Sequence, residues 1–154
     1  MTGAARQAAS LSPIAQVVLT VAFFLIAGPL IAGPVTIPII WYFSVEGMNV
    51  SQAAASGLVV TLLGFWAIIP AGAIPALGVG LTVGWLDVMR GMTSLWIAVV
   101  AGLGFGAVWG MILQYNLAEF VAVVPAVTVG SVVGSVACWG IVRWARAASA
   151  RGRA

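Results

Sequence analysis

The chain has 154 residues, of which 63% are hydrophobic and only 6% charged, whereas a soluble domain carries charge on about a quarter of its residues. Its formal charge of +3 comes from six basic and three acidic residues; every basic one is Arg, the usage expected of a GC-rich bacterial genome. With no His and one cysteine, neither an internal disulfide nor a usual zinc, haem or iron–sulfur site can form, so no cofactor or metal is expected.

Residues 1–12 are small and polar, with Arg6, and read as a cytoplasmic N-terminal tail. Ser12-Pro13 is a helix start, with Ser at the N-cap and Pro at the first helical position. The apolar run behind it resembles a signal peptide, but its leading charge is weak and Pro29 and Pro34 interrupt the small residues, so a retained span is expected. This first span, 13–43, would reach about 46 Å as one helix, too long to stand upright in a bilayer. Pro34 and Pro38 therefore predict a kink and tilt, or a break near Gly33. Trp41, Tyr42 and Phe43 suit the head-group level.

A polar turn with Glu46 follows, and Asn49 with Gln52 makes a capping box that opens the second span, 50–90. That span is also overlong, and Pro70 and Pro75 predict its interruption. Beyond them Gly72, Ala76, Gly80 and Gly84 recur every fourth residue, a stripe along one helix side where another backbone can come close. Arg90-Gly91 reads as the helix end, with Asp87 in reach of Arg90 three residues on.

Thr93 or Ser94 caps the third span, 94–114, which is uncharged and carries a second stripe: Ala98, Gly102, Gly106 and Gly110. GLGFG within it resembles a glycine-rich loop, but the four-residue spacing points to a helix contact. Asn116 and Glu119 form another capping box, opening the fourth span, 117–146. Its stripe is Ala122, Ala126, Gly130, Gly134 and Cys138, where the cysteine reads as a small contact residue, not a reactive thiol. A basic cytoplasmic tail, 147–154, closes the chain.

The expected fold is an all-α integral membrane protein: a four-helix transmembrane bundle over 13–146, with Pro/Gly-broken first and second spans. The alternative has five spans, with 70–75 as a turn and a short extra span over 71–86. In the four-span arrangement Arg6, Arg90 and the arginines from Arg143 to Arg153 share one side, and Glu46 and Glu119 the other. The positive-inside rule then predicts both termini in the cytoplasm of a bacterial inner membrane. The halves 13–90 and 94–146 share this layout without residue identity, as any two hairpins would.

Every charged residue falls at the end of a span, so the buried ionisable groups that mark proton relays and ion-coupled transport are missing. Without His or Lys, Ser and Cys lack their usual general bases, and one Asp cannot make an aspartyl dyad. Catalysis is therefore not expected. Nor is nucleic-acid binding, for which no basic domain exists. The leading expectation is a non-enzymatic accessory or assembly subunit, held to other membrane subunits or to itself through the stripes, with the lipid bilayer as its other partner. The alternative is a small homo-oligomeric transporter or channel for a neutral or weakly polar solute. Its site would lie at the Pro/Gly breaks, with Pro34, Thr36, Trp66, Pro70 and Pro75 as candidates.

Overall fold

The computed structural model describes residues 12–44, 46–63, 65–91, 94–116 and 122–151, apart from the side chains of 61, 63, 65–71 and 149–150. Among the described residues there are five helices: α1, Pro13–Ser44; α2, Val50–Leu63; α3, Phe65–Arg90; α4, Leu95–Asn116; and α5, Val123–Arg151. Among these described residues, four segments are long and apolar enough to cross a membrane: Pro13–Ser44, Gly72–Arg90, Leu95–Asn116 and Val123–Ala148. Each buries only 22–33% of its most apolar window inside the protein, so the exterior is apolar too.

Short polar signals set most helix ends. The Ser12 hydroxyl accepts the Ala15 N–H at 3.2 Å, and its carbonyl accepts from Gln16 at 3.0 Å. At the start of α2 the box closes in both directions: the Gln52 N–H donates to Asn49 Oδ1 at 2.8 Å, and the Asn49 N–H to Gln52 Oε1 at 3.1 Å. Ser94 opens α4, its carbonyl accepting the Ile97 N–H at 3.0 Å. Gly91 ends α3 at φ +70°, donating its N–H to the Asp87 carbonyl at 2.9 Å, a left-handed cap that a side chain would strain.

Three expectations need correction. First, the break near Gly33 does not occur, and of the two expected outcomes only the kinked and tilted single helix is left: α1 is helical throughout, although it contains Pro29, Pro34 and Pro38. Each proline removes one donor and crowds the preceding turn. Here neighbouring glycines make room for the rings: Gly72 packs on Pro29 and Gly57 on Pro38. Second, α3 runs unbroken through Pro70 and Pro75. A proline costs one rung of the ladder, and a helix packed among others can satisfy the freed carbonyl without ending. With no turn at 70–75, the five-span alternative has no basis. Third, Asn116 does not open the last helix. It lies within α4, as the last described residue of that helix, and its Nδ2 donates to the Ile112 carbonyl at 2.7 Å. Glu119 lies outside the described residues.

The long helices alternate in direction. Gly72 meets Pro29 while Gly84 meets Thr20, so α3 runs against α1. Gly102 meets Ser135 while Gly110 meets Val124, so α5 runs against α4. The most extensive contacts are α4 with α5 and α1 with α3, followed by α1 with α5. The core gathers Phe24, Val79, Val83, Ala98, Ala101 and Cys138. This alternation brings Arg90, Arg143, Arg146 and Arg151 to one end of the bundle, with Glu46 at the other. At the arginine end Asp87 forms an ion pair with Arg146 of α5, and not with its helix neighbour Arg90 as expected. Local spacing permits the second pairing, but the approach of α5 supplies the first.

Candidate functional site

The site grows out of the helix contacts. Gly72, Gly80 and Gly84 stand against α1, where a Cβ would lie 3.0 Å from Pro29, 3.1 Å from Phe24 and 3.4 Å from Thr20, respectively. Ala76 lies on the same side, 3.3 Å from where Gly28 would carry a Cβ. On α4, Gly102, Gly106 and Gly110 stand against α5, where a Cβ would come within 2.7, 2.7 and 3.0 Å of its atoms. Ala98 is fully buried in the same row. On α5, Ala126 is fully buried, Gly130 meets Thr36 and Gly134 meets the Gly28 carbonyl at 3.2 Å, both on α1. All three rows thus face other helices of this same chain, with α1 receiving two of them.

Where α1, α3 and α5 converge, a partly open cavity of about 280 Å³ remains. It is lined by Phe24, Gly28, Pro29, Ala32, Gly33, Thr36, Ile37 and Ile40 of α1, and by Gly72, Pro75, Ala76 and Val79 of α3. Val123, Val127, Ser131, Gly134 and Ser135 of α5 and Leu113 of α4 complete it. The prolines and glycines explain its position. Pro29, Gly33 and Gly72 present little or rigid side-chain volume at one level, so the helices cannot fill the space between them.

Of the solute-site candidates, Thr36 and Pro75 line this cavity. Pro34 is half-buried on α1 and does not line it. The side chains of Trp66 and Pro70 lie outside the described residues. Ser131 and Ser135 also line the cavity, although sequence reasoning did not single them out. The signal was available, since two hydroxyls four residues apart share one helix face. The Ser135 hydroxyl donates to the Ser131 carbonyl, so its oxygen still offers lone pairs as an acceptor.

Among the described residues no carboxylate, guanidinium or thiol lines the cavity. Its chemistry is therefore recognition by shape, with a few hydroxyl oxygens to orient a guest. An apolar cavity of roughly 150 Å³ is enough to admit benzene, and this one is larger. Among the described residues no three His, Cys, Asp or Glu side chains gather to hold a metal. No protein-family model, curated protein or solved structure matches this chain.

Proposed function

We propose that this is an integral protein of a bacterial inner membrane, a four-span bundle that binds a neutral, largely apolar solute in the cavity among α1, α3 and α5. Both termini lie in the cytoplasm, where the arginine end meets the positive-inside rule. The cavity carries this reading. It combines an apolar wall with the hydroxyls of Thr36, Ser131 and Ser135 at the proline-bearing segments, the composition of a small-molecule site inside a helical bundle. The protein then acts as a small transporter or channel for that solute, alone or as a homo-oligomer.

Indole is a suitable probe, being neutral, mainly apolar and equipped with one N–H to donate. It should raise the melting temperature of the detergent-purified protein, and Val127→Phe, which fills the cavity, should remove that gain. Equal stabilisation of the wild type and Val127→Phe would show that the cavity is not the site.

An accessory subunit of a larger membrane complex is the second reading. The small-residue rows no longer support it, because they are taken up within the chain. One other observation does: an open apolar groove along α3 and α4, with Thr82, Trp96, Val100, Phe105 and Val108 on its walls. Purification from the native membrane in mild detergent would recover a fixed set of partner subunits, and Val108→Asn would release them.

A further inference from the structure

A second cavity, of about 180 Å³, lies at the arginine end of the bundle. Phe24 of α1 lines the apolar cavity, and Thr20, four residues earlier, lines the second one. Val79 and Val83 of α3 divide in the same way, as do Ser135 and Trp139 of α5. Each step is four residues, or about 6 Å of helix, and all three lead towards the arginine end. The two cavities are thus stacked between the same three helices, about one turn apart. A single layer of the core separates them: Phe24, Val79, Val83 and Cys138, none more than 3% exposed. Ala98 and Ala101 of α4 close this layer from the remaining side. Among these six residues Phe24 is the only large side chain. We propose that the two cavities are the outer and inner halves of one path for the neutral solute, and that the Phe24 ring is its gate.

The layer is thin and depends on one ring. Alanine, cysteine and valine reach no further than one atom past Cβ, so Phe24 supplies the reach across the axis. Its position is fixed from two sides. A Cβ on Gly80 would lie 3.1 Å from that of Phe24, so α3 comes close to α1 at this level. The Phe23 ring stands edge-on to the Phe24 ring, with centroids 6.3 Å apart. An apolar constriction of this kind stops water and ions as well as solute, because water leaves a narrow apolar gap. The two halves differ in character. The outer one is apolar, whereas the inner one carries Thr20 and the ion pair of Asp87 with Arg146, which suits a mouth that faces water. A solute held in the outer half can pass inward between α1, α3 and α5 only where Phe24 stands. The inference rests on the transport reading above, since a closed layer by itself would describe a blind binding pocket.

The test measures erythritol entry into vesicles of phosphatidylethanolamine and phosphatidylglycerol by stopped-flow light scattering. Erythritol is neutral and crosses a bare bilayer slowly. Vesicles with Phe24→Ala should admit it several-fold faster than vesicles with the wild type. Adding Val127→Phe, which fills the outer half, should abolish that leak, whereas a leak through misfolded protein would persist. Phe23→Ala removes the same ring from a residue that packs on the core but lines neither cavity, and it should stay as tight as the wild type. Phe24→Leu keeps the layer apolar and should leak to an intermediate extent, which carries the test if Phe24→Ala does not fold. Folded Phe24 variants as tight as the wild type, an equal leak from Phe23→Ala, or a leak that Val127→Phe leaves unchanged would overturn the proposal. The indole melting shift keeps the two readings apart. A shift with a tight Phe24→Ala would retain the binding cavity and remove the gate. A leak blocked by Val127→Phe, without a shift, would retain the gated path and remove the apolar solute.

Discussion

Gly130 of α5 rests directly against the hydroxyl of Thr36 on α1, with no space between them for a methyl group. The Ala32 carbonyl closes the same spot from 3.3 Å, so a side chain added at Gly130 has nowhere to move. Gly130→Ala should therefore destabilise the protein by about 1–3 kcal/mol, the usual cost of overpacking. Thr36→Ala removes the obstructing oxygen, and in the double variant part of the loss should return. Thermal melts of the four proteins in one detergent decide it. If the two losses simply add, the contact is not as close as the structure has it.

This contact also marks what could be read from the residues alone. Helix ends were legible at Ser12, Asn49 and Gly91, because each depends on a few adjacent residues. The recurrence of small residues on α3, α4 and α5 was visible too, but not which helix stands opposite. That depends on how the chain folds back, and so Thr36 could not be matched with Gly130. The prolines misled for a different reason. In water a mid-helix proline exposes a carbonyl and ends the helix, whereas here Gly57 and Gly72 seat the rings and α1 continues. Asn116 followed by Glu119 met every local rule for opening a helix, yet Asn116 is itself helical within α4. Ser131 and Ser135 were passed over because a hydroxyl inside an apolar run looks like one more small residue.

The ion pair between Asp87 and Arg146 can be tested against the pairing that local spacing suggests. Arg146 is half-exposed, so the pair should contribute only about 0.2–1 kcal/mol. A double-mutant cycle of Asp87→Asn with Arg146→Gln should show that coupling. The same cycle with Arg90→Gln should show none. Coupling to Arg90 in place of Arg146 would mean that α3 and α5 do not approach as described.

The alternating helix directions make a prediction about sidedness. A reporter active only outside the cytoplasm should signal when fused at Glu46 and stay silent when fused at Arg90 or after Ala154. A cytoplasmic reporter should give the reverse pattern. The rationale is the gathering of arginines at one end, which sets orientation through the loops near the spans. An external signal from the Ala154 fusion would exclude an even number of crossings with a cytoplasmic start.

The last prediction compares two glycines on one helix. A Cβ on Gly106 would meet the Ser131 Cβ at 2.7 Å and the Thr128 Cα at 3.0 Å, both on α5. A Cβ on Gly104 would meet nothing within 4 Å. The two residues therefore have the same backbone and the same intrinsic helix propensity but opposite surroundings. Gly104→Ala should be neutral or stabilising by up to about 1 kcal/mol, since alanine gives up less backbone freedom on entering a helix. Gly106→Ala carries the same gain but must also push α4 from α5, which loses contact along the whole row. Between helices in lipid, van der Waals packing supplies most of the attraction, so that separation is costly. The net loss should be about 1–3 kcal/mol, and Gly106→Ile should be worse. Melting temperatures in detergent give the sign for each variant, and the sedimentation of the folded protein shows whether the change alters assembly. If Gly106→Ala unfolds the monomer at a lower temperature, the row holds this chain together. If it leaves a stable fold and only dissolves an oligomer, the row belongs to an interface between chains and the packing of α4 on α5 is wrong.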